Sequence, residues 1–282
     1  MIMKLIAYES NGAVKAGAMV RDDAYVDISA AGDVLKIISD PAAYAQAEQI
    51  AVNGPAQPLD SVNLRAPLIP RNLICIGLNY MDHCRETGSP VPTRPVIFAK
   101  FVNALANPGD TITWYADATA TVDYEAELGA VIGRLCYRVS QEEALSYVGG
   151  YTCVNDISAR DIQNSDGGRQ WTLGKTPDGF CPIGPALVAA RDIPDPQALA
   201  IRCILNGQVV QNSNTSEMIF NVARLVSHIS RFMTLQPGDL ISTGTPFGVG
   251  MSRNPQLWMK DGDEVVVEIE KIGSLRNRIR VL

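Results

Sequence analysis

Histidine is scarce in this chain: among 282 residues there are two, His83 and His228. That scarcity leaves a zinc centre dependent on cysteine, and the six cysteines offer no Cys-x-x-Cys pair. Cys75, Cys136, Cys153 and Cys203 sit in apolar, strand-like runs, so they read as small buried hydrophobes in a reducing cytosol rather than as a disulfide framework. Cys84 adjoins His83, but neighbouring residues on a helix point apart, which argues against a thiol–imidazole pair. No apolar run approaches the ~20 residues of a membrane helix, and the run before Glu9 is too short for a signal peptide. Blocks of positive charge are also missing. The net charge is −6 and the 24 Lys and Arg residues are scattered, which argues against nucleic acid or an anionic membrane as partner. There is no internal repeat and no low-complexity tract. The expectation is a cytoplasmic protein acting on a small molecule.

What is present is ordinary globular material, 46% hydrophobic and 19% charged, in a length that suits one large domain with a smaller one. Short strand-like runs at 3–8, 16–20 and 24–28 form a meander, and a helical stretch at 33–51 is interrupted by Pro41. Prolines 55, 58, 67 and 70 mark a passage to a second region, which begins with the buried strand Leu73-Ile74-Cys75-Ile76-Gly77. Asn206-Gly207 between two apolar runs is a hairpin signal. Ile219, Val222, Val226, Ile229 and Met233 recur at helical spacing, so the pattern predicts one amphipathic helix over 215–233, started by Asn214 with Glu217. The fold class is α+β, with a small N-terminal α/β domain over 1–68 and a β-rich domain over 69–282.

The most informative stretch is Asp123-Tyr124-Glu125-Ala126-Glu127-Leu128-Gly129, which reads as a strand. Residues i and i+2 of a strand share a face, so Glu125 and Glu127 point the same way, roughly 7 Å apart along the backbone. Two like charges that close repel unless a cation lies between them. Asp156, ending the apolar run Tyr151–Asn155, is the third acid. Two readings stand there, a ligand facing a site on the sheet or the N-cap of a helix beginning at 157. Three carboxylates, with other positions left to water and substrate, suit Mg²⁺ or Mn²⁺, with Ca²⁺ also admissible.

His83 and Glu86 are spaced i, i+3, sharing a helical face. They read either as a surface ion pair or as an imidazole held by a carboxylate, with its second nitrogen free as a general base. His228 falls on the amphipathic helix and reads as a packing or surface residue. In Gly168-Arg169-Gln170-Trp171-Thr172-Leu173-Gly174-Lys175-Thr176, the phosphate-loop pattern fails because Arg169 stands where its first glycine belongs. Lys175, in apolar and glycine-flanked surroundings, reads either as a surface lysine or as a buried cation for an anionic substrate. The run Gly244-Thr245-Pro246-Phe247-Gly248-Val249-Gly250 is either a plain turn or a loop whose amides and hydroxyls bind a carboxylate.

These pieces together resemble the fumarylacetoacetate hydrolase family. The resemblance rests on Asn79-Tyr80 with His83 and Glu86, Glu125-x-Glu127, Asp156-Ile157-Ser158-Ala159-Arg160-Asp161 and Gln170-Trp171-x-x-Gly174-Lys175. Asp178-x-Phe180-x-Pro182-x-Gly184-Pro185 and Gly244-Thr245-Pro246-x-Gly248-Val249-Gly250 complete it, all in family order over 71–282. It implies a mixed β-sandwich roll, a homodimer, and Mg²⁺ or Mn²⁺ held by Glu125, Glu127 and Asp156. It further implies a lid over about 82–95 carrying His83 and Glu86, with a 2-oxo acid as substrate. Arg160 and Gln163 would orient that substrate, and Gly244 and Thr245 would grip its carboxylate. Lys175 would stabilise a pyruvate enolate. The expected reaction is hydrolysis of a C–C bond in an acylpyruvate or 2,4-dioxo acid. Oxaloacetate decarboxylation, hydroxymuconate isomerisation and sugar-acid dehydration are alternatives on the same site, and a non-catalytic 2-oxo acid binder is the alternative of a different class.

Overall fold

The computed structural model describes residues 2–165 and 169–282; Gly168, in the run read above, lies outside the described residues. Ten strands form the path of the larger sheet. From the edge strand Gln57–Pro58 it runs through Ala24–Asp27, Ala13–Arg21 and Lys4–Ser10, crosses to Cys181–Ala189, and continues through Val148–Asn155, Ala126–Ile132, Leu240–Ser242 and Leu73–Gly77 to the far edge at Val96–Lys100. The N-terminal meander is thus continuous with the later sheet, because Lys4 and Leu5 pair with Val188 and Leu187. A five-stranded sheet covers one face, with its order Gln208–Asn214, Ala200–Leu205, Glu264–Ile269, Gly273–Val281 and Thr111–Trp114. Asn206 and Gly207 both adopt positive φ (50° and 78°), which matches the twist that a two-residue hairpin turn needs.

The strand Ala126–Ile132 lies at the centre and is buried along its whole length. Its even-numbered residues, Ala126, Leu128, Ala130 and Ile132, pack with Ile201, Cys203, Val265, Val267 and Leu275 of the smaller sheet. Its odd-numbered residues face the other way. Val131 there joins Leu5, Val34, Ile37 and Leu187 under the N-terminal helices Val34–Ser39 and Pro41–Asn53. Pro41 starts the second helix at its first position, with the Asp40 side chain accepting from Ala42 N–H, so the interruption seen in sequence is a helix start. Glu127 shares the Val131 face but sits near the beginning of the strand, where the apolar cover ends.

Two local expectations are corrected. The helix expected over 215–233 is confined to Val222–Ser230 and capped by Asn221, whose side chain accepts from Arg224 N–H. Asn214 caps only the single turn Thr215–Glu217. The periodicity failed because 218–220 is claimed by tertiary bonds: Met218 bridges Tyr80, and Asn79 binds the backbone of both Ile219 and Phe220. The acid-bearing strand is likewise interrupted. Val122–Asp123 pairs with Ser158–Ala159, and a new strand starts at Ala126, leaving Glu125 in the break.

All six cysteines are buried free thiols, and no helix of the described residues is long and apolar enough to cross a membrane. Asn79 is the tie that positions the site's roof. Fully buried, it donates to Thr243 O (2.7 Å) and Phe220 O (3.0 Å) and accepts from Phe220 N–H (2.8 Å). Asn79→Ala leaves those groups without partners in the interior and is expected to cost about 2–4 kcal/mol. Urea unfolding measures this, and a change within about 0.5 kcal/mol would show that Asn79 does not carry the load assigned to it.

Candidate metal and acid–base site

Strand pairing explains why three acids meet. Ala126 pairs with Asn155 across the sheet, so the residues just outside that pair, Glu125 and Asp156, are neighbours. Two bonds fix them: Asp156 N–H donates to Glu125 O (2.9 Å), and Glu125 N–H donates to the Asn155 side chain (3.1 Å). The carboxylates of Glu125, Glu127 and Asp156 all come within 4.8 Å of one another, and all three residues are buried. Asp156 is no N-cap, since the helix Arg160–Gln163 begins at Ala159 without a side-chain cap.

Isolated buried carboxylates are costly, and here cations are threaded among them. Lys175 Nζ lies 2.6 Å from Glu125 Oε2 and 2.7 Å from Asp156 Oδ2. Arg160 binds Glu125 Oε1 (2.7 Å) and Asp123 Oδ2 (2.9 Å), and its remaining donor meets Gln163 Oε1 (2.9 Å). Lys100 Nζ reaches Asp156 Oδ1 at 2.5 Å. Glu127 has no such cation at hydrogen-bond distance among the described residues; Ser242 Oγ (2.5 Å) and Gly244 N–H (2.9 Å) both donate to its Oε2.

The electrostatics follow from this arrangement. Burial would raise the Glu125 carboxyl, but Lys175 and Arg160 bring it down to about 2. Burial pushes Glu127 up to about 8, with the charges of Asp156 and Glu125 adding to the effect. Burial would also lower the Lys175 ammonium, yet Asp156 and Glu125 outweigh it and hold the group above its ordinary value. The donor set is all carboxylate oxygen, with no imidazole or thiolate in the cluster, so it fits a hard divalent cation and is a poor match for zinc.

The other expected residues are mostly gathered around the same cavity of about 350 Å³, lined by His83, Glu125, Glu127, Arg160, Gln163, Lys175 and Thr245. A cleft near 800 Å³ beside Phe101 and Met233 is larger but carries no acid cluster. His83 lies on the helix Met81–Thr87, with Nδ1 3.0 Å from Glu86 Oε2, while Glu86 Oε1 accepts from Gly248 N–H (2.8 Å). The pair is therefore clamped to the glycine loop rather than exposed at the surface. Among the described residues, no hydrogen bond occupies His83 Nε2. Thr245 lines the cavity, but its hydroxyl donates to Ala126 O (3.0 Å) and accepts from Gln211 (2.8 Å). Gly244 commits its amide to Glu127, so in this structure it orients a metal-ligand candidate and does not face a substrate carboxylate. Its φ of +96°, and the Asn79 Cβ that a side chain there would meet at 2.7 Å, explain the glycine. Arg160 is similarly committed, to Asp123 and Glu125.

Gly174 is needed for close approach: a Cβ would stand 2.7 Å from Gln163 N and 2.8 Å from Ala159 O. The turn Trp171–Lys175 thereby packs on Arg160–Gln163 and delivers Lys175 inward. Burial, with Asp82 nearby, pushes the Cys84 thiol up, which disfavours a thiolate nucleophile. His228 packs edge-on against Phe232, which favours packing over the surface alternative. Lys100, Asp123, Asn155 and Ser242 were not foreseen. The one available signal was Lys100, a lone cation in the apolar run Val96–Lys100.

The fumarylacetoacetate (FAA) hydrolase C-terminal profile matches residues 72–280. This chain belongs to the fumarylacetoacetate hydrolase family. A mitochondrial oxaloacetate tautomerase of Bos taurus is 45% identical over 231 residues, spanning 82% of this chain and 73% of its own. Among solved structures, the fumarylacetoacetate hydrolase of Exiguobacterium antarcticum superposes with a TM-score of 0.86 at 34% identity, covering 99% of this chain and 100% of that one. A maleylpyruvate hydrolase of a Sphingobium species, solved with manganese(II) and pyruvate, superposes with a TM-score of 0.83 at 28% identity and covers 99% of both chains.

Metal uptake must displace the proton that Glu127 holds below about pH 8. The apparent affinity for Mg²⁺ or Mn²⁺ is therefore expected to fall as pH drops from 8 to 6, by up to about tenfold per unit, with proton release on binding. Titration calorimetry in buffers of different ionisation enthalpy reads both quantities. An affinity independent of pH would contradict the protonated Glu127.

Proposed function

We propose that this chain interconverts the oxo and enol forms of a 2-oxo acid, as an oxaloacetate tautomerase does. One observation carries the reading: an imidazole fixed through Nδ1 by Glu86 lines the same small cavity as the buried acids and Lys175. A held imidazole with a free second nitrogen is suited to proton transfer.

The charge balance supports an anionic substrate. The buried carboxyls Asp123, Glu125, Glu127 and Asp156 face the cations Lys100, Lys175 and Arg160. With Glu127 ionised, a divalent ion leaves this group with one net positive charge. Such an ion, when bound by Glu125, Glu127 and Asp156, supplies Lewis-acid stabilisation of negative charge on the oxo oxygen. His83 Nε2 removes the proton from the carbon next to the oxo group. The C–H electron pair forms the C=C bond, and charge moves to oxygen, where the Lys175 ammonium helps hold it. His83 then returns the proton to that oxygen, giving the enol; the reverse order gives the oxo form. Glu86 stabilises the imidazolium in between. Gln163, on the cavity wall with its amide N–H groups uncommitted among the described residues, positions the acid.

C–C hydrolysis of an acylpyruvate is the second reading, favoured by the likeness to the Sphingobium maleylpyruvate hydrolase. It would use the same enolate as leaving group, with His83 activating water. For the homodimer, we propose the exposed apolar edge formed by Val96, Ile97, Phe101, Val102 and Met233 as the contact.

Exchange of the C3 protons of a 2-oxo acid in D₂O, followed by NMR, tests the main reading without requiring bond cleavage. With Mg²⁺ the wild-type protein should accelerate exchange, and His83→Gln should lower the rate by roughly 10²–10⁴-fold while oxalate binding persists. An unchanged rate in the variant would remove His83 from the chemistry. Pyruvate release from acylpyruvates without catalysed exchange on simple 2-oxo acids would favour the second reading.

A further inference from the structure

The wall of the catalytic cavity carries three basic side chains besides His83, namely Arg160, Lys175 and Arg169. The first two are spent on buried carboxylates. Arg169 is different: it is exposed at the rim, and among the described residues no ion pair or side-chain hydrogen bond holds it. Its place is nonetheless fixed by the backbone. Trp171 N–H donates to Arg169 O (2.9 Å), and the Trp171 ring is wedged over Gly77, where an added Cβ would meet it at 2.5 Å, and edge-on against Phe98. Arg169 itself takes a left-handed φ of +51°, unusual for a non-glycine residue.

Neutral donors surround this position on the same wall. The Asn164 amide has no side-chain hydrogen bond among the described residues, and Ser89 presents a hydroxyl, while the Thr87 hydroxyl is spent on His83 O (2.9 Å) and Ser89 Oγ (2.9 Å). Among the described residues, the only carboxylates lining the cavity are Glu125 and Glu127, both already bound by donors at the inner end. An anionic group at the rim therefore meets a guanidinium and hydrogen-bond donors. A planar carboxylate matches that guanidinium well, since two parallel N–H···O bonds can form.

We propose that Arg169, with Asn164 on the same wall, is the specificity residue for a 2-oxo diacid such as oxaloacetate, binding the carboxylate remote from the oxo group. This rests on the 2-oxo acid reading above and adds a specificity residue to it. The inner end of the cavity takes the 2-oxo carboxylate and Arg169 takes the distal one. A volume of about 350 Å³ limits the spacer between them to a few carbons.

The test compares two probes of equal chain length, 2-oxoglutarate and 2-oxopentanoate, which differ in the distal carboxylate. Dissociation constants are measured by calorimetry on the Mg²⁺-supplemented full chain, for wild type, Arg169→Ala and Arg169→Lys. The wild-type protein should favour the diacid by about tenfold or more, the worth of one charge-assisted contact. Arg169→Ala should erase that preference, and Arg169→Lys should restore part of it. Equal affinities in the wild type, or a preference that survives Arg169→Ala, would overturn the assignment while leaving the 2-oxo acid reading intact. Failure of the wild type to bind either probe would overturn the 2-oxo acid reading and the assignment with it.

Discussion

Carboxylates taken out of water together set the terms for the rest of this structure. Each buried ion forgoes several kcal/mol of hydration, and like charges within a few ångströms add repulsion. Lys100, Lys175 and Arg160 offset much of that, but the distribution is uneven. Glu125 and Asp156 are each bound by two cations, whereas Glu127 relies on a hydroxyl and an amide. A proton on Glu127 relieves the imbalance in the metal-free protein, and a divalent ion relieves it more completely. An apolar cluster of the same volume would give equal or better stability, so the arrangement is explained by chemistry rather than by folding.

The scaffold serves that cluster by being covered on both sides. The smaller sheet packs on one face of Ala126–Ile132, and the N-terminal helices pack on the other along most of its length. Only at the start of the strand does the cover give way to a cavity, which is where Glu125 and Glu127 lie. Close approaches make this geometry possible. Gly174 lets the Lys175 turn press against Arg160–Gln163, and Gly244 lets the loop after Leu240–Ser242 pass under Asn79 with its amide on Glu127. The same loop, through Gly248, holds Glu86 and thereby His83. Glu127 of the acid cluster and the His83 imidazole are thus positioned by one segment.

How much of this was legible in the sequence depended on the range of the interaction. The hairpin at Asn206-Gly207 and the helix start at Pro41 are local and were readable. Glu125 and Glu127 were readable as a same-side pair even though the strand breaks between Asp123 and Ala126, because the Asn155 bond holds Glu125 in line with its successor. The start of the long helix was not readable, since what keeps Ile219 and Phe220 out of it is Asn79, far earlier in the chain. Lys100 and Asp123 were missed for a similar reason. Their partners are set by sheet order and by Arg160, which no spacing rule encodes. Arg160 and Gly244 were placed in the correct neighbourhood, but their donors turned out to be occupied by carboxylates of the site itself.

The central claim is that Glu125, Glu127 and Asp156 jointly hold one divalent cation. Crystals grown with Mn²⁺ and recorded near the manganese absorption edge test it most directly. The account predicts a single anomalous peak bonded to oxygens of all three side chains, with Glu127 turned toward it. Clear density for the three carboxylates, with Lys175 still bridging Glu125 and Asp156 and no anomalous peak between them at saturating Mn²⁺ and pH above 8, would contradict it.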